Sequence, residues 1–224
     1  MKTIRNTAIA LALMLASVPV ISAQDLSRYR TFSLGTSLAA LTKQVGQNGD
    51  QATLIHRNPA VIQQLTHWPM DTSSSPVAAD PVSQIVFSFY NGELYKISVI
   101  YDERATEGIT EDDMVQTISA RYGTAIRLYP EINLPTYADY SQRDKVIARW
   151  IDSENSVSLI RSSTLDSYGL VVVSRRLDAQ ATAAIIESAR LDKEEAPQKE
   201  IDRQKKEVAD LELTREKNKK TLRP

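Results

Sequence analysis

The segment Ser83–Asp102 constrains the fold most, because two apolar runs flank an Asn91-Gly92 pair. Asn-Gly between such runs is a strong signal for a β-hairpin. A two-residue turn, however, would point the apolar sets of the two strands to opposite faces, since a shift of one residue turns every side chain over. We therefore predict a three-residue loop, Tyr90-Asn91-Gly92, with a glycine bulge that places Phe87 opposite Tyr95 on one apolar face.

Two further segments are predicted to be capped helices that end at a glycine. In TSLAALTKQVG, Thr36 or Ser37 can cap the first turn, and Gly46 can end the helix. In TEDDMVQTISARYG, Thr110 begins a similar helix and Gly123 ends it. A hairpin alone is marginally stable in water, so more strands or a helix must pack against the one at Ser83–Asp102.

More strands are predicted on both sides of the second helix. Ala52–His56 forms a short strand, Lys145–Ile151 and Ser156–Arg161 form a second hairpin, and Tyr168–Arg175 has the unbroken valine run of a central strand. Ala60–Trp68 is interpreted as a helical turn or an irregular segment. The sequence thus predicts an α+β fold over residues 24–177, with each helix followed by strands in a possible tandem duplication.

The segment around the first predicted helix resembles part of a known protein family. Phe32 to Ser37, followed by Val45-Gly46, resembles the opening of BamE/SmpA-like envelope modules. The tandem order of elements resembles the beta-lactamase-inhibitor-protein-like fold. This resemblance implies a curved antiparallel sheet with helices packed on one face, followed here by a long charged C-terminal helix. It also implies a binding or assembly role, and it carries no catalytic residues over to this chain.

The first 23 residues have the pattern of a secretory signal peptide. Lys2 and Arg5 precede an apolar stretch from Ala8 to Val18, and a cleavage site follows Ala23. The apolar stretch is shorter than a membrane-spanning helix, so we expect no integral span after cleavage. The chain also lacks cysteine, the acceptor for a lipid anchor. The sequence therefore predicts a periplasmic or secreted protein.

From residue 178 to residue 224 the composition becomes charged and helical. Ile201, Val208 and Leu211 form a sparse apolar stripe, and Pro197 is compatible with a new helix start or a kink. The stripe is too short for a sustained coiled coil. Two interpretations remain open for this tail: a solvated helix that docks on a partner, or a frayed charged segment.

No stretch of the sequence carries a recognisable catalytic constellation. There is no nucleophile elbow and no phosphate-binding glycine loop, and the two histidines, His56 and His67, lack a metal-binding spacing. Acidic residues gather from Asp102 to Asp113, as in a calcium loop or a general acid/base pair, but the residue order of a calcium loop is lacking. Stabilisation of acidic residues by the dipole of a helix start is the favoured interpretation. We therefore predict no cofactor and no metal, and keep a secreted hydrolase using these carboxylates as the alternative function.

A binding module of a protein or cell-envelope component is the favoured function. Aromatic and arginine side chains are the usual anchors of such surfaces. The near-neutral net charge of −1 argues against nucleic acid as a partner. Rings in an irregular stretch can instead roof the core, which is the simpler alternative. The predicted binding residues are Tyr129, Tyr137, Tyr140, Arg143 and Trp150.

Overall fold

A computed structural model describes residues 24–69, 80–127, 144–162 and 167–222 of the chain. The strands are β1 (Arg28–Tyr29), β2 (Phe32–Ser33), β3 (Thr53–His56), β4 (Ile62–His67), β5 (Val82–Tyr90), β6 (Glu93–Tyr101), β7 (Ile126–Arg127), β8 (Lys145–Ile151), β9 (Asn155–Arg161) and β10 (Tyr168–Ser174). The helices are α1 (Leu38–Val45), α2 (Glu111–Tyr122) and α3 (Arg175–Thr221). The mixture of helices with antiparallel sheet and a long C-terminal helix confirms the predicted α+β class.

One eight-stranded antiparallel sheet organises the molecule, in the order β3-β4-β5-β6-β10-β9-β8-β7. The first half of the chain supplies α1 and then β3 to β6, and the second half supplies α2 and then β7 to β10. The last strands of the two halves, β6 and β10, pair in the middle. Each half thus supplies a helix followed by strands, and a tandem duplication of the two halves stays a prediction.

The central hairpin closes with a two-residue turn, so the predicted three-residue loop is wrong. Asn91 and Gly92 both have positive φ, 50° and 84°, as a tight primed turn requires. The Asn91 side chain accepts a hydrogen bond from the Val61 amide at 2.9 Å, and the Asn91 amide donates to the Val61 carbonyl at 2.8 Å. These two bonds to the end of the neighbouring strand hold the turn residues in place.

The bulge that the hairpin needs lies within β6. Phe89 pairs with Leu94 and Ser88 pairs with Lys96, which leaves Tyr95 as the extra residue. Tyr95 therefore does not face Phe87, and that part of the prediction is wrong as well. After the bulge the register is restored, so that Phe87 pairs with Ile97 in the core.

Both faces of the sheet are covered. On the first face α1 and α2 enclose the main core, with Leu41 from α1 and Met114 and Ile118 from α2 packed against the strands. On the second face Tyr95 and Ile62 pack against the start of α3 in a smaller cluster. The bulge in β6 thus serves both layers, because it turns one aromatic ring away from the main core and toward α3.

The two short helices have the caps that the sequence predicts. The Ser37 hydroxyl accepts a hydrogen bond from the Ala40 amide at 3.3 Å, and Gly46 ends α1 in the left-handed conformation. Thr110 and Asp113 form a reciprocal capping box at the start of α2. Because both signals are local in sequence, they could be recognised without knowledge of the tertiary structure.

Strand β4 corrects the interpretation of Ala60–Trp68 as a helical or irregular segment. Ile62 and Leu65 are its two buried apolar residues, and they lie on opposite faces of the sheet. Their spacing of three hides the alternation by which a half-buried strand is normally recognised. Pairing with β5 along the whole strand decides the structure instead.

Helix α3 follows β10 without a loop and runs continuously through Pro197. It begins at Arg175, before the change in composition that marks the tail in the sequence. Its first turns dock on the second face of the sheet through four buried residues at helical spacing, which are Leu177, Ala181, Ala184 and Ser188. From Asp192 on the helix is exposed, although its residues up to Lys199 still border a hollow beside β3 and the residues that follow it.

Candidate functional site

The aromatic surface proposed from the sequence is represented in the structure by one residue, Trp150. Its indole is 1% exposed and packs in the main core, where Nε1 donates a hydrogen bond to the Gly123 carbonyl at 2.8 Å. Trp150 therefore supports the core and offers no accessible contact surface. The remaining four predicted binding residues lie outside the described residues, and their role stays a prediction: Tyr129, Tyr137, Tyr140 and Arg143.

The acidic stretch from Asp102 to Asp113 is engaged in local structure at both ends. Asp102 accepts hydrogen bonds from the amides of Arg104 and Ala105 at 2.9 and 3.1 Å, which holds a single helical turn. Hydrogen bonds from Thr110 lower the pKa of the Asp113 carboxyl in the capping box. Both carboxylates thus act as caps of backbone amides.

The acids between these two caps have other neighbours. Glu111 forms an ion pair with Lys145 at 3.3 Å, and Asp112 forms one with Arg127 at 2.6 Å. The last two acids, Glu103 and Glu107, are exposed and border an open hollow. The alternative of a carboxylate hydrolase gains no positive support from these contacts and stays a prediction.

The two histidines have structural neighbours. His56 Nδ1 lies 3.0 Å from the Ser188 hydroxyl of α3. His67 lies in β4, where burial lowers its pKa. In residues 24–69, 80–127, 144–162 and 167–222, no three metal-binding side chains of histidine, aspartate or glutamate come together.

A cavity lined by both polar and apolar side chains lies between the second face of the sheet and the start of α3, and we call it the α3 cavity. Its volume is about 270 Å³, close to the lower end of the range for small-molecule sites, about 300–1,000 Å³. Strands β6, β8, β9 and β10 form its floor, and α3 forms its roof. Its lining residues are Tyr95, Lys96, Ser98, Asp144, Arg149, Ser156, Ser158, Ile160, Val171, Val173, Asp178, Thr182 and Ile185.

Charged groups on the two walls of the α3 cavity influence one another. Burial lowers the pKa of Lys96 on β6, and the nearby Asp178 carboxylate partly opposes this shift. Burial raises the pKa of Asp178 on α3, and Lys96 opposes that shift. Arg149 on β8 donates through Nε to the Ser158 hydroxyl at 3.3 Å. These residues could not be grouped from the sequence, because the antiparallel register and the docked helix bring them together from four separate elements.

A second candidate surface is the end of α3 that extends beyond the domain, which we call the projecting segment. Every residue from Asp192 to Leu222 is exposed. At a rise of about 1.5 Å per residue, the projecting segment is about 45 Å long. Ion pairs along the helix include Glu195–Lys199 at 3.0 Å and Arg203–Glu207 at 3.0 Å. Its exposed apolar side chains are Ile201, Val208, Leu211, Leu213 and Leu222.

Within the described residues, no helix combines the length and the apolar character needed to cross a membrane. Comparison of the chain with protein-family models, with curated proteins and with solved structures gives no match.

Proposed function

We propose that this protein is an exported, non-enzymatic binding module that recognises a protein or another component of the cell envelope through the projecting segment. The observation that carries this proposal is the complete exposure of Asp192–Leu222 on a helix whose base is fixed to the domain. The proposed location, in the periplasm or outside the cell, rests on the signal-peptide pattern of residues 1–23. The resemblance to BamE/SmpA-like modules is consistent with such a role.

The projecting segment has the properties of a recognition helix. Salt bridges at a spacing of four residues favour the helix while leaving its surface open to a partner. Ile201, Val208 and Leu211 follow one another at intervals of seven and three, so they share one side of the helix. Exposure of these apolar side chains to water is unfavourable, so their burial against an apolar groove of a partner would stabilise a complex.

The test uses the full chain and a chain that ends after Leu191 as baits in an envelope extract. We expect the full chain to retain at least one component that the shortened chain loses, as measured by quantitative mass spectrometry. Ile201, Val208 and Leu211 changed together to Gln should lose the same component, because the stripe is removed and the helix is kept. Leu213→Gln lies off this stripe and serves as the matched control.

If the full and shortened chains retain the same components, the projecting segment is not the recognition element and the proposal fails. Location is tested separately by cell fractionation of the producing organism. We expect the mature chain in the periplasmic or external fraction, with Gln24 as its first residue. A mature chain that keeps Met1 in the cytoplasmic fraction would contradict the proposed export.

A further inference from the structure

The middle of the floor of the α3 cavity is formed by small side chains in register across three adjacent strands, β6, β10 and β9. Ser98 pairs with Val171, Val171 with Ser158, and Ser158 with Arg149, so these four residues form one row from β6 to β8. Serine and valine are too short to fill the space beneath α3. The cavity is therefore built into the sheet by residue size, with cationic side chains from β6 and β8 at its margins.

Three charged groups of this cavity have no direct partner of opposite charge among the described residues. Within the part of the chain that the structure describes, neither Lys96, Arg149 nor Asp178 forms an ion pair shorter than 4 Å. Lys96 Nζ lies 5.5 Å from the centre of the Tyr95 ring. Asp144, the fourth charged residue of the lining, is buried and has an interaction of its own. Partly buried charges are costly unless hydrogen-bonding groups surround them.

The balance of these groups indicates which chemistry the cavity accepts. Lys96 and Arg149 provide two cations with donor N–H groups, whereas Asp178 provides one acceptor for a donor. A ligand that satisfies all three has an oxyanion at one end and a hydroxyl or amino group beside it. The volume of about 270 Å³ suits a molecule of metabolite size.

We propose that the α3 cavity is a binding site for a small organic oxyanion, a carboxylate or a phosphate ester that also carries a hydrogen-bond donor. Lys96 and Arg149 hold the oxyanion, and Asp178 accepts the hydrogen bond of the donor group. Because Asp178 belongs to the first turn of α3, a bound ligand joins α3 to the sheet. This site is separate from the projecting segment and does not depend on the function proposed for it.

The test is to titrate small molecules into the full chain and to monitor the amide chemical shifts of the protein by NMR. Glycerate presents the carboxylate and glycerol 3-phosphate presents the phosphate, each with hydroxyl donors, whereas glycerol lacks the oxyanion. We expect saturable shifts at Ser98, Ser158, Val171 and Thr182 with one of the two oxyanions. Glycerol should give none. The oxyanion that binds more tightly shows whether the cavity prefers a carboxylate or a phosphate ester.

Three variants test whether the lining residues of the α3 cavity bind the ligand as proposed. Lys96→Met should weaken binding at least about tenfold, the effect of losing one charge-assisted hydrogen bond. Lys43→Met removes an exposed lysine from α1, across the sheet from the cavity, and should leave binding unchanged. Thr182→Leu fills the cavity from the helix side with a good helix former and should abolish binding, even if Lys96→Met fails to fold.

The proposal is overturned if neither oxyanion gives a saturable shift at tens of millimolar. It is also overturned if the shifts map to residues away from the cavity, or if Thr182→Leu binds as tightly as the unmodified chain. Equal weakening by Lys43→Met and Lys96→Met would show general charge attraction and would likewise refute a specific site. Loss of envelope binding by the shortened chain has no bearing on this result, so the two proposals fail independently.

Discussion

The pKa values of Lys96 and Asp178 depend on each other across the α3 cavity. Burial shifts the pKa of each group toward its uncharged form, and their mutual attraction opposes both shifts. Because the folded-state pKa of Asp178 is raised, its contribution to stability is greatest below the ordinary value of 3.8 and is lost as pH rises through the folded-state pKa. Tyr95, Asp144 and Arg149 are the other titratable or charged groups of the lining.

Replacing Lys96 by Met is therefore expected to raise the pKa of Asp178 further. The attraction that favours the charged carboxylate is removed, while the burial that disfavours it remains. The pH range in which stability is lost then moves upward as well. The pKa can be measured from the chemical shift of the Asp178 carboxyl carbon during a pH titration. Lys43→Met is the control, and an unchanged or lowered Asp178 pKa in Lys96→Met would contradict the coupling.

The ion pair of Arg30 with Asp80 contributes to the stability of the fold with a pH dependence opposite to that of Asp178. Two Arg30 nitrogens donate to the Asp80 carboxylate at 2.6 and 2.7 Å, and the Val82 amide donates at 3.0 Å. The hydrogen bonds from Arg30 are the main cause of the lowered pKa of Asp80. A carboxyl of this kind stabilises the fold above its ordinary value of 3.8, and the contribution is lost as pH falls through the folded-state pKa.

Asp80→Asn should accordingly lower the free energy of unfolding by about 1 kcal/mol at neutral pH, a value reduced by partial exposure to solvent. Urea denaturation at several pH values measures this difference. We expect the difference from the unmodified chain to shrink toward zero in strong acid, where Asp80 is protonated in both states. A difference that stays constant down to strong acid would show that the charge of Asp80 is not its cause.

Features of helices and strands that depend on neighbouring residues in the sequence could be predicted, whereas those that depend on distant parts of the chain could not. The caps at Ser37 and Thr110 are encoded within a single turn, and both form as predicted. The bulge at Tyr95 depends on a helix that follows much later in the chain, and the tight turn at Asn91 depends on contacts with Val61. Strand β4 was missed because its apolar residues serve two different faces. The bulge, the tight turn and strand β4 can be explained only when the positions of the neighbouring elements are known.

Gly169 in β10 illustrates a central-strand residue whose size is fixed by its neighbours. A Cβ at this position would lie 2.9 Å from Ile160 Cγ1 and 3.2 Å from the Val99 carbonyl oxygen. Gly169→Ala should lower the free energy of unfolding by about 1–3 kcal/mol, as measured by urea denaturation, because the adjacent strands must shift. Gly49→Ala is the control, since a Cβ there meets none of the described residues within 4 Å, and we expect a change within about 0.5 kcal/mol. Equal effects of the two substitutions would refute the steric explanation.

The molecule as a whole combines a domain whose sheet is covered on both faces with a helix, α3, that packs on it only through its first turns. The candidate sites reflect this division. The projecting segment was recognisable from its composition, because exposure along a charged helix is visible in the sequence. The α3 cavity was not recognisable, because Lys96, Arg149 and Asp178 are brought together by strand register and by the docking of α3. Serine and valine on a strand carry no signal of their own for an internal space.

Removing the part of the chain after Leu191 should leave the urea midpoint of the domain unchanged, because every described residue beyond that point is exposed. Leu177→Ala should instead lower the free energy of unfolding by about 2–5 kcal/mol, since Leu177 is 4% exposed and packs with Ile62 and Tyr95 on the second face. A midpoint lowered as much by the truncation as by Leu177→Ala would contradict this division of α3. If instead the two changes behave as expected, α3 has a structural base and a separate outer part that is free to bind, as the proposed function requires.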